Sequence, residues 1–188
     1  MTKTRSFYAP GKVVIMGEYA VLDGSPAIVA AVNRGVRCVV SPRDTGCTIQ
    51  APNTTFVGPA LADWTQRPGA FSFDNFNPTN TDQKVGLGGS AAATVVALLA
   101  GSAWNHRPLT GERLFEAAHA IHKRVQGSGS GVDIAASVFG GVNKFNAGVV
   151  TPLSPFQFHL IWTGHAAATG PRVQQYLAWT PRESFVNG

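Results

Sequence analysis

The chain has 188 residues, of which 44% are apolar and 13% charged, and its formal net charge is +5. That length holds one full core and the start of another but not two large domains, and the low charge content argues against disorder. A pI near 9.6 favours an anionic partner, while charge alone leaves nucleic acid, a phospholipid surface and a phosphorylated metabolite open.

Other features narrow that choice. The densest basic cluster is the pair Lys123 and Arg124. No arginine or lysine block of the kind that marks a nucleic-acid tail is seen and aromatic residues are not interleaved with basic ones, so a nucleic-acid partner is not expected. The first 17 residues lack a long apolar stretch ending in a cleavage site, which argues against secretion. The most apolar run, residues 91–100, falls short of the roughly 20 residues that cross a bilayer. The expectation is a cytoplasmic protein without a membrane partner. Cys38 and Cys47 have neither metal-ligand spacing nor a disulfide framework and read as ordinary small residues.

In chain order, residues 12–16 (KVVIM) and 27–40 read as strands, with Gly24, Ser25 and Pro26 turning the chain between them. Residues 51–82 shift to Pro, Asn, Thr and Gly with no periodicity that assigns an element. Residues 90–104 carry small and aliphatic side chains without proline, a pattern for a buried helix. A second helix spans residues 110–125, with Thr110 as N-cap and Leu114, Phe115, Ala118, Ile121 and Val125 at helical spacing. A Gly/Ser loop over residues 127–131 opens a third helix, 132–138, which Gly140 and Gly141 end. Residues 156–163 (FQFHLIWT) read as a strand and 171–179 as a helix. A domain change is placed near Val150, and no internal repeat is visible.

Three segments carry chemistry. In Gly86-Leu87-Gly88-Gly89-Ser90-Ala91-Ala92, glycines before a helix let backbone amides and the positive helix end approach an anion closely, which suits a triphosphate. The pattern fits a dinucleotide fingerprint, but the preceding residues 79–83 make a poor strand and no acidic residue follows at the right distance. It is not a P-loop, since no Gly-Lys-Ser/Thr ending is present. Gly127-Ser128-Gly129-Ser130-Gly131-Val132-Asp133 places a carboxylate at a helix start. Asp133 there is either a first-turn or capping residue or a group that accepts or orients a hydroxyl proton in phosphoryl transfer. Ala9-Pro10-Gly11-Lys12, followed by Gly17-Glu18-Tyr19-Ala20-Val21, puts a lysine at a strand start, where it is either solvated or neutralises phosphate charge.

The order of these segments, closed by Gly131-Val132-Asp133-Ile134-Ala135-Ala136-Ser137-Val138-Phe139-Gly140-Gly141, resembles the GHMP kinases. Residues 163–169 (TGHAAAT) resemble a threonine-glycine-x-serine-alanine-serine-threonine stretch of phosphomevalonate kinases, so the likeness spans nearly the whole chain. It implies an α+β fold: an N-terminal ATP-binding and catalytic domain over residues 1–150, akin to a ribosomal-protein fold, and the incomplete start of a ferredoxin-like domain over 151–188.

The resemblance further implies ATP and magnesium as cofactors and a small phosphorylated acceptor, with 5-phosphomevalonate phosphorylated to the diphosphate. Tyr19 after the Gly-Glu pair, and His122 where mevalonate kinases place a magnesium-binding glutamate, favour that acceptor over mevalonate. Lys84, Gly86, Leu87, Gly88, Gly89, Ser90 and Ala91 would hold the nucleotide phosphates, Ser90 also facing magnesium. Asp133 and Lys12 would be catalytic. His122, Ser128, Gly129 and Ser130 would line the acceptor side; Glu18 and Tyr19 would shape the pocket, or Glu18 would be a buried structural acid. His165 would be a structural or rim residue. Two departures stand out: the usual Gly-Ser-Ser reads Gly88-Gly89-Ser90, leaving one hydroxyl, and the second domain's glycine-rich motif is missing. Mevalonate kinase, homoserine kinase and a non-catalytic nucleotide-binding protein are the alternatives, and monomer and homodimer both stay open.

Overall fold

The computed structural model describes residues 3–74, 85–165, 169–182 and 184. Its centre is one mixed sheet of six strands. The long strand β2 (Ala27–Pro42) is antiparallel to β1 (Arg5–Met16). It also pairs with β4 (Gly69–Asp74) through Arg37 to Pro42 and with β5 (Val142–Asn146) through Ala27 to Ala30. β3 (Cys47–Gln50) runs parallel to β4, and β6 (Val149–Leu153) closes the other end against β5, three residues beyond Val150.

β-Branched residues and period-two burial make these strands. Val36, Cys38 and Val40 of β2 are buried on one face, with Phe71 and Phe73 of β4 beside them, the alternation expected of a half-covered sheet. The middle of β2 departs from that order. Pro10 pairs with Gly35 but Lys12 with Ala31, so one residue of β1 stands against three of β2. This irregularity leaves Val32, Asn33 and Arg34 out of the ladder.

Helix α2 (Gly89–Trp104) lies in the core, with Ala91, Ala92, Val95, Val96, Ala97, Leu98 and Ala100 buried. An apolar helix on all sides needs cover on all sides, supplied by the sheet, α1 (Val57–Leu61), α3 (Gly111–Gln126) and α4 (Val132–Phe139). A buried Leu98 or Val96 side chain contributes about 1.5–3 kcal/mol. α3 turns Leu114, Phe115, Ala118 and His122 inward, whereas Ile121 and Val125 are only partly covered. Thr110 is at the N-cap position but its side chain makes no cap hydrogen bond. Cys38 and Cys47 are unpaired thiols.

Two expectations need correction. Residues 51–82, left without an element, contain α1 and β4. Residues 156–163 form no strand. Among the described residues nothing pairs with that segment, and a strand without a ladder leaves its backbone groups to water and gains nothing from extension. Helix α5 (Thr169–Leu177) follows it and is tied back to the body by the Tyr176 hydroxyl, which donates to Asp23 at 2.7 Å.

Candidate active site

The glycine loop is fastened to β1 where that strand faces the bulge of β2. With its ladder disturbed, Lys12 donates its backbone N–H to the Leu87 carbonyl at 2.9 Å. Gly11 lies beneath that carbonyl, where a Cβ would stand 2.4 Å from the oxygen. Gly88, the N-cap of α2, has φ 72°; a Cβ there would reach within 2.8 Å of Cγ of Lys12. The two glycines thus let loop and strand touch, with the lysine stem running under the helix start.

The first amides of α2 have no intrahelical partner, and no side chain caps the helix. The site therefore offers a ring of N–H donors at a positive helix end, beside an ammonium group. That ammonium meets a carboxylate: Lys12 Nζ lies 2.8 Å from Asp133 Oδ1, and both side chains are partly exposed. Asp133 sits in the first turn of α4, whose N-cap is Gly131 with φ 91°. Asp133 does not cap the helix; its carboxylate is committed to Lys12. α4 is held against β1 by Ser137, whose hydroxyl donates to the Pro10 carbonyl at 2.8 Å.

Helix α3 supports both loops. The His122 Nε2 lies 3.1 Å from the Ser90 hydroxyl, and its ring stacks on Phe56 of the α1 entrance at 5.0 Å. Burial pushes its pKa below the usual imidazole value; the Asp133 carboxylate pulls in the opposite direction, and His119 adds to the lowering. His119, one turn earlier, has its Nε2 3.3 Å from the Gly129 carbonyl. The His119 ring occupies the space a Cβ on Gly131 would need, at 3.2 Å.

Of the residues expected at the site, Lys12, Leu87, Gly88, Ser90, His122 and Asp133 are brought into one connected set by these contacts. Ala91 is fully buried beneath the loop. Gly86 and Gly89 complete the turn, while Lys84 lies outside the described residues. Ser130 does local work, its hydroxyl accepting from the Val132 N–H at 3.3 Å, and Ser128 is exposed with its carbonyl bound by Gln126. Glu18 is exposed rather than buried, which removes its reading as an interior acid. Tyr19 has φ 65° and stacks on Tyr176 of α5, ring centroids 5.9 Å apart. His165 is exposed.

His119 and Phe56 lie outside the segments singled out in the sequence, and Gly11 lies inside one of them, Ala9-Pro10-Gly11-Lys12, without a role given to it. Only the position of His119, one turn before His122, could have drawn notice. A cavity of 920 Å³ opens beside Leu87, where the edge of β2 lies between the stretches paired to β4 and β5. Asn33 and Arg34 line it, with Phe156, Phe158 and Trp162 opposite.

The GHMP kinases N terminal domain profile matches residues 72–141, a span that holds the glycine loop, α2, α3 and Asp133. The chain carries the N-terminal domain of the GHMP kinases. A mevalonate kinase from Archaeoglobus fulgidus is 31% identical over 167 residues, covering 81% of this chain and 56% of that protein. A phosphomevalonate kinase from Streptomyces sp. is 29% identical over 182 residues, covering 74% and 49%. The chain thus spans about half the length of the curated relatives it matches. The crystal structure of Methanococcus jannaschii mevalonate kinase shares the fold with a TM-score of 0.79 at 13% identity, over 98% of this chain and 69% of that one. Streptococcus pneumoniae phosphomevalonate kinase does so at 0.66 and 20%, over 78% and 50%. The GHMP fold expected from the motifs is the fold observed.

Proposed function

We propose that this GHMP domain serves ATP-dependent phosphoryl transfer to a small acceptor of the mevalonate pathway, with 5-phosphomevalonate as the acceptor. The observation that carries the reading is the ion pair between Lys12 and Asp133 at the mouth of an uncapped, glycine-opened helix. A solvated lysine or a simple capping aspartate would not be locked to its opposite at a ring of free amides. The donor set fits a nucleotide triphosphate: amides and an ammonium for the phosphates, and a hydroxyl, Ser90, for a cation carried by them. Among the described residues no group of three or more His, Cys, Asp or Glu could hold a metal by itself, so magnesium would arrive with the phosphates.

In this reading the amides of residues 88–91 bind and orient the phosphates. Lys12 offsets negative charge as it shifts toward the leaving oxygen, and magnesium supplies further neutralisation at the phosphates when bound. Asp133 faces the acceptor. A new bond forms between the acceptor oxygen and the terminal phosphorus while the bond from that phosphorus to the bridging oxygen breaks, and ADP leaves with the electron pair. A hydroxyl acceptor must hand its proton to Asp133. A phosphate acceptor, whose second pKa is about 6, is already mostly deprotonated at neutral pH and needs the carboxylate chiefly for orientation.

Tyr19, and the imidazole rather than a carboxylate at position 122, support the phosphorylated acceptor. Mevalonate is the second reading, supported by the names of the relatives from Aeropyrum pernix and Archaeoglobus fulgidus. Incubating the purified protein with magnesium-ATP and each acceptor in turn, with products read by phosphorus NMR, tests both. Diphosphate formed from 5-phosphomevalonate supports the first, monophosphate formed from mevalonate the second. ATP binding with neither product would leave a nucleotide-binding domain alone.

A further inference from the structure

We infer that His122 is a positioning residue that accepts the Ser90 hydroxyl proton and so turns the oxygen lone pairs of Ser90 toward a nucleotide-borne cation. The inference deepens the kinase reading and rests on it.

The argument begins with an imbalance of donors and acceptors. A helix start and a lysine provide hydrogen-bond donors in plenty, all suited to phosphate oxygens. Acceptors are scarce: the Asp133 carboxylate is already engaged by Lys12 at 2.8 Å. The Ser90 hydroxyl is the one side-chain oxygen in the first turn of α2, and a hydroxyl carries one proton and two lone pairs. If its proton points at the phosphates, Ser90 is one donor among many. If the proton is drawn away, its lone pairs become available to a cation.

His122 is placed to draw it away. Its Nε2 is 3.1 Å from Ser90 Oγ, and the ring is 5% exposed. Stacking on Phe56 fixes the plane of the ring, so the nitrogen is held at the hydroxyl without the entropy cost of a free side chain. The rest of Ser90 is anchored too, its carbonyl accepting the Thr94 hydroxyl at 3.0 Å. What the pair leaves open is the direction of one proton, which a neutral imidazole carrying its own hydrogen on Nδ1 takes at Nε2 as acceptor.

This arrangement also meets the missing hydroxyl of the glycine loop. Position 89 is glycine, so a second serine cannot share the work and the orientation of Ser90 bears all of it.

The test is a double-mutant cycle on cation binding, read without turnover. Manganese affinity is measured by electron paramagnetic resonance in the presence of a non-hydrolysable ATP analogue, for the unaltered protein, His122→Phe, Ser90→Ala and the double variant. Phe keeps the stack on Phe56 and removes the acceptor. We expect His122→Phe to weaken manganese about tenfold, the size of one lost hydrogen-bond contribution of roughly 1.4 kcal/mol, and to add nothing further once Ser90 is alanine. His122→Gln, whose side-chain oxygen can accept the same proton, should restore affinity to within about threefold of the unaltered protein. Additive losses, or failure of Gln to rescue while the fold is intact by circular dichroism, would overturn the role. Absence of any manganese–nucleotide binding by the unaltered protein would instead overturn the kinase reading, and the inference with it.

Discussion

Gly11 lies directly under the Leu87 carbonyl, whose oxygen is 2.4 Å from where a Cβ on Gly11 would stand. Two backbones meet there, so neither side can give way by rotating a side chain. Gly11→Ala is expected to destabilise the protein by about 1–3 kcal/mol, the range for forced overpacking, and to lift the glycine loop from Lys12. Thermal unfolding and ATP titration calorimetry measure the two effects. Gly58→Ala is the control: it sits in α1 with nothing within 4 Å of the added atom, and should gain up to about 1 kcal/mol of stability from reduced chain entropy.

Removing the Lys12 charge should separate binding from packing. Its stem passes under Gly88 and its ammonium pairs with Asp133. Lys12→Met keeps the stem and should lower turnover by about 10²–10³-fold, as does loss of one charge-stabilising donor, with a smaller loss of ATP affinity. Lys12→Arg should not rescue, because the wider guanidinium cannot take the place of a compact ammonium beside the loop. Single-turnover kinetics with each acceptor is the measurement.

Asp133→Asn keeps the shape of the first turn of α4 but removes its negative charge. We expect a fall in turnover of about 10²–10⁴-fold, the contribution of a positioned acid–base group, while ATP binding persists. The loss should be greater for a hydroxyl acceptor than for a phosphate acceptor, since only the former must lose a proton to the carboxylate. Unchanged turnover with both acceptors would remove Asp133 from the chemistry.

Leu98 is 2% exposed in the centre of α2, with no polar contact to complicate its replacement. Leu98→Ala should cost about 2–5 kcal/mol, the range for large-to-small changes in a packed core. Urea unfolding followed by circular dichroism would record it as a lower midpoint at unchanged slope.

Burial pushes the Cys38 thiol from 9.0 up to about 12. Its folded pKa is raised above the unfolded value, so the neutral thiol contributes stability that is complete below about pH 9 and declines as pH rises toward about 12. Unfolding free energy should therefore fall across that interval, and Cys38→Ala should flatten the decline while lowering stability at neutral pH. Alkylation at pH 8 should modify Cys47, which is partly exposed, well before Cys38.

Helices α2, α3 and α4 and the loops that begin them were legible in the residues alone. Small apolar residues over 90–104, the amphipathic spacing of α3 and the glycines ahead of Ser90 and Val132 are local signals, and local signals survive without knowledge of partners. The motif order also carried the family. The rest depends on contacts between residues distant in sequence. Lys12, beside the irregular pairing of β1 with β2, meets Asp133 across 121 positions of sequence. His122 lies on the buried face of α3 under Ser90 because that face packs on α2, although its spacing of four from Ala118 was there to be read. Residues 156–163 have the alternating composition of a strand yet form none, because a strand is a relation between two segments and its hydrogen-bonding groups need a neighbour that composition cannot supply.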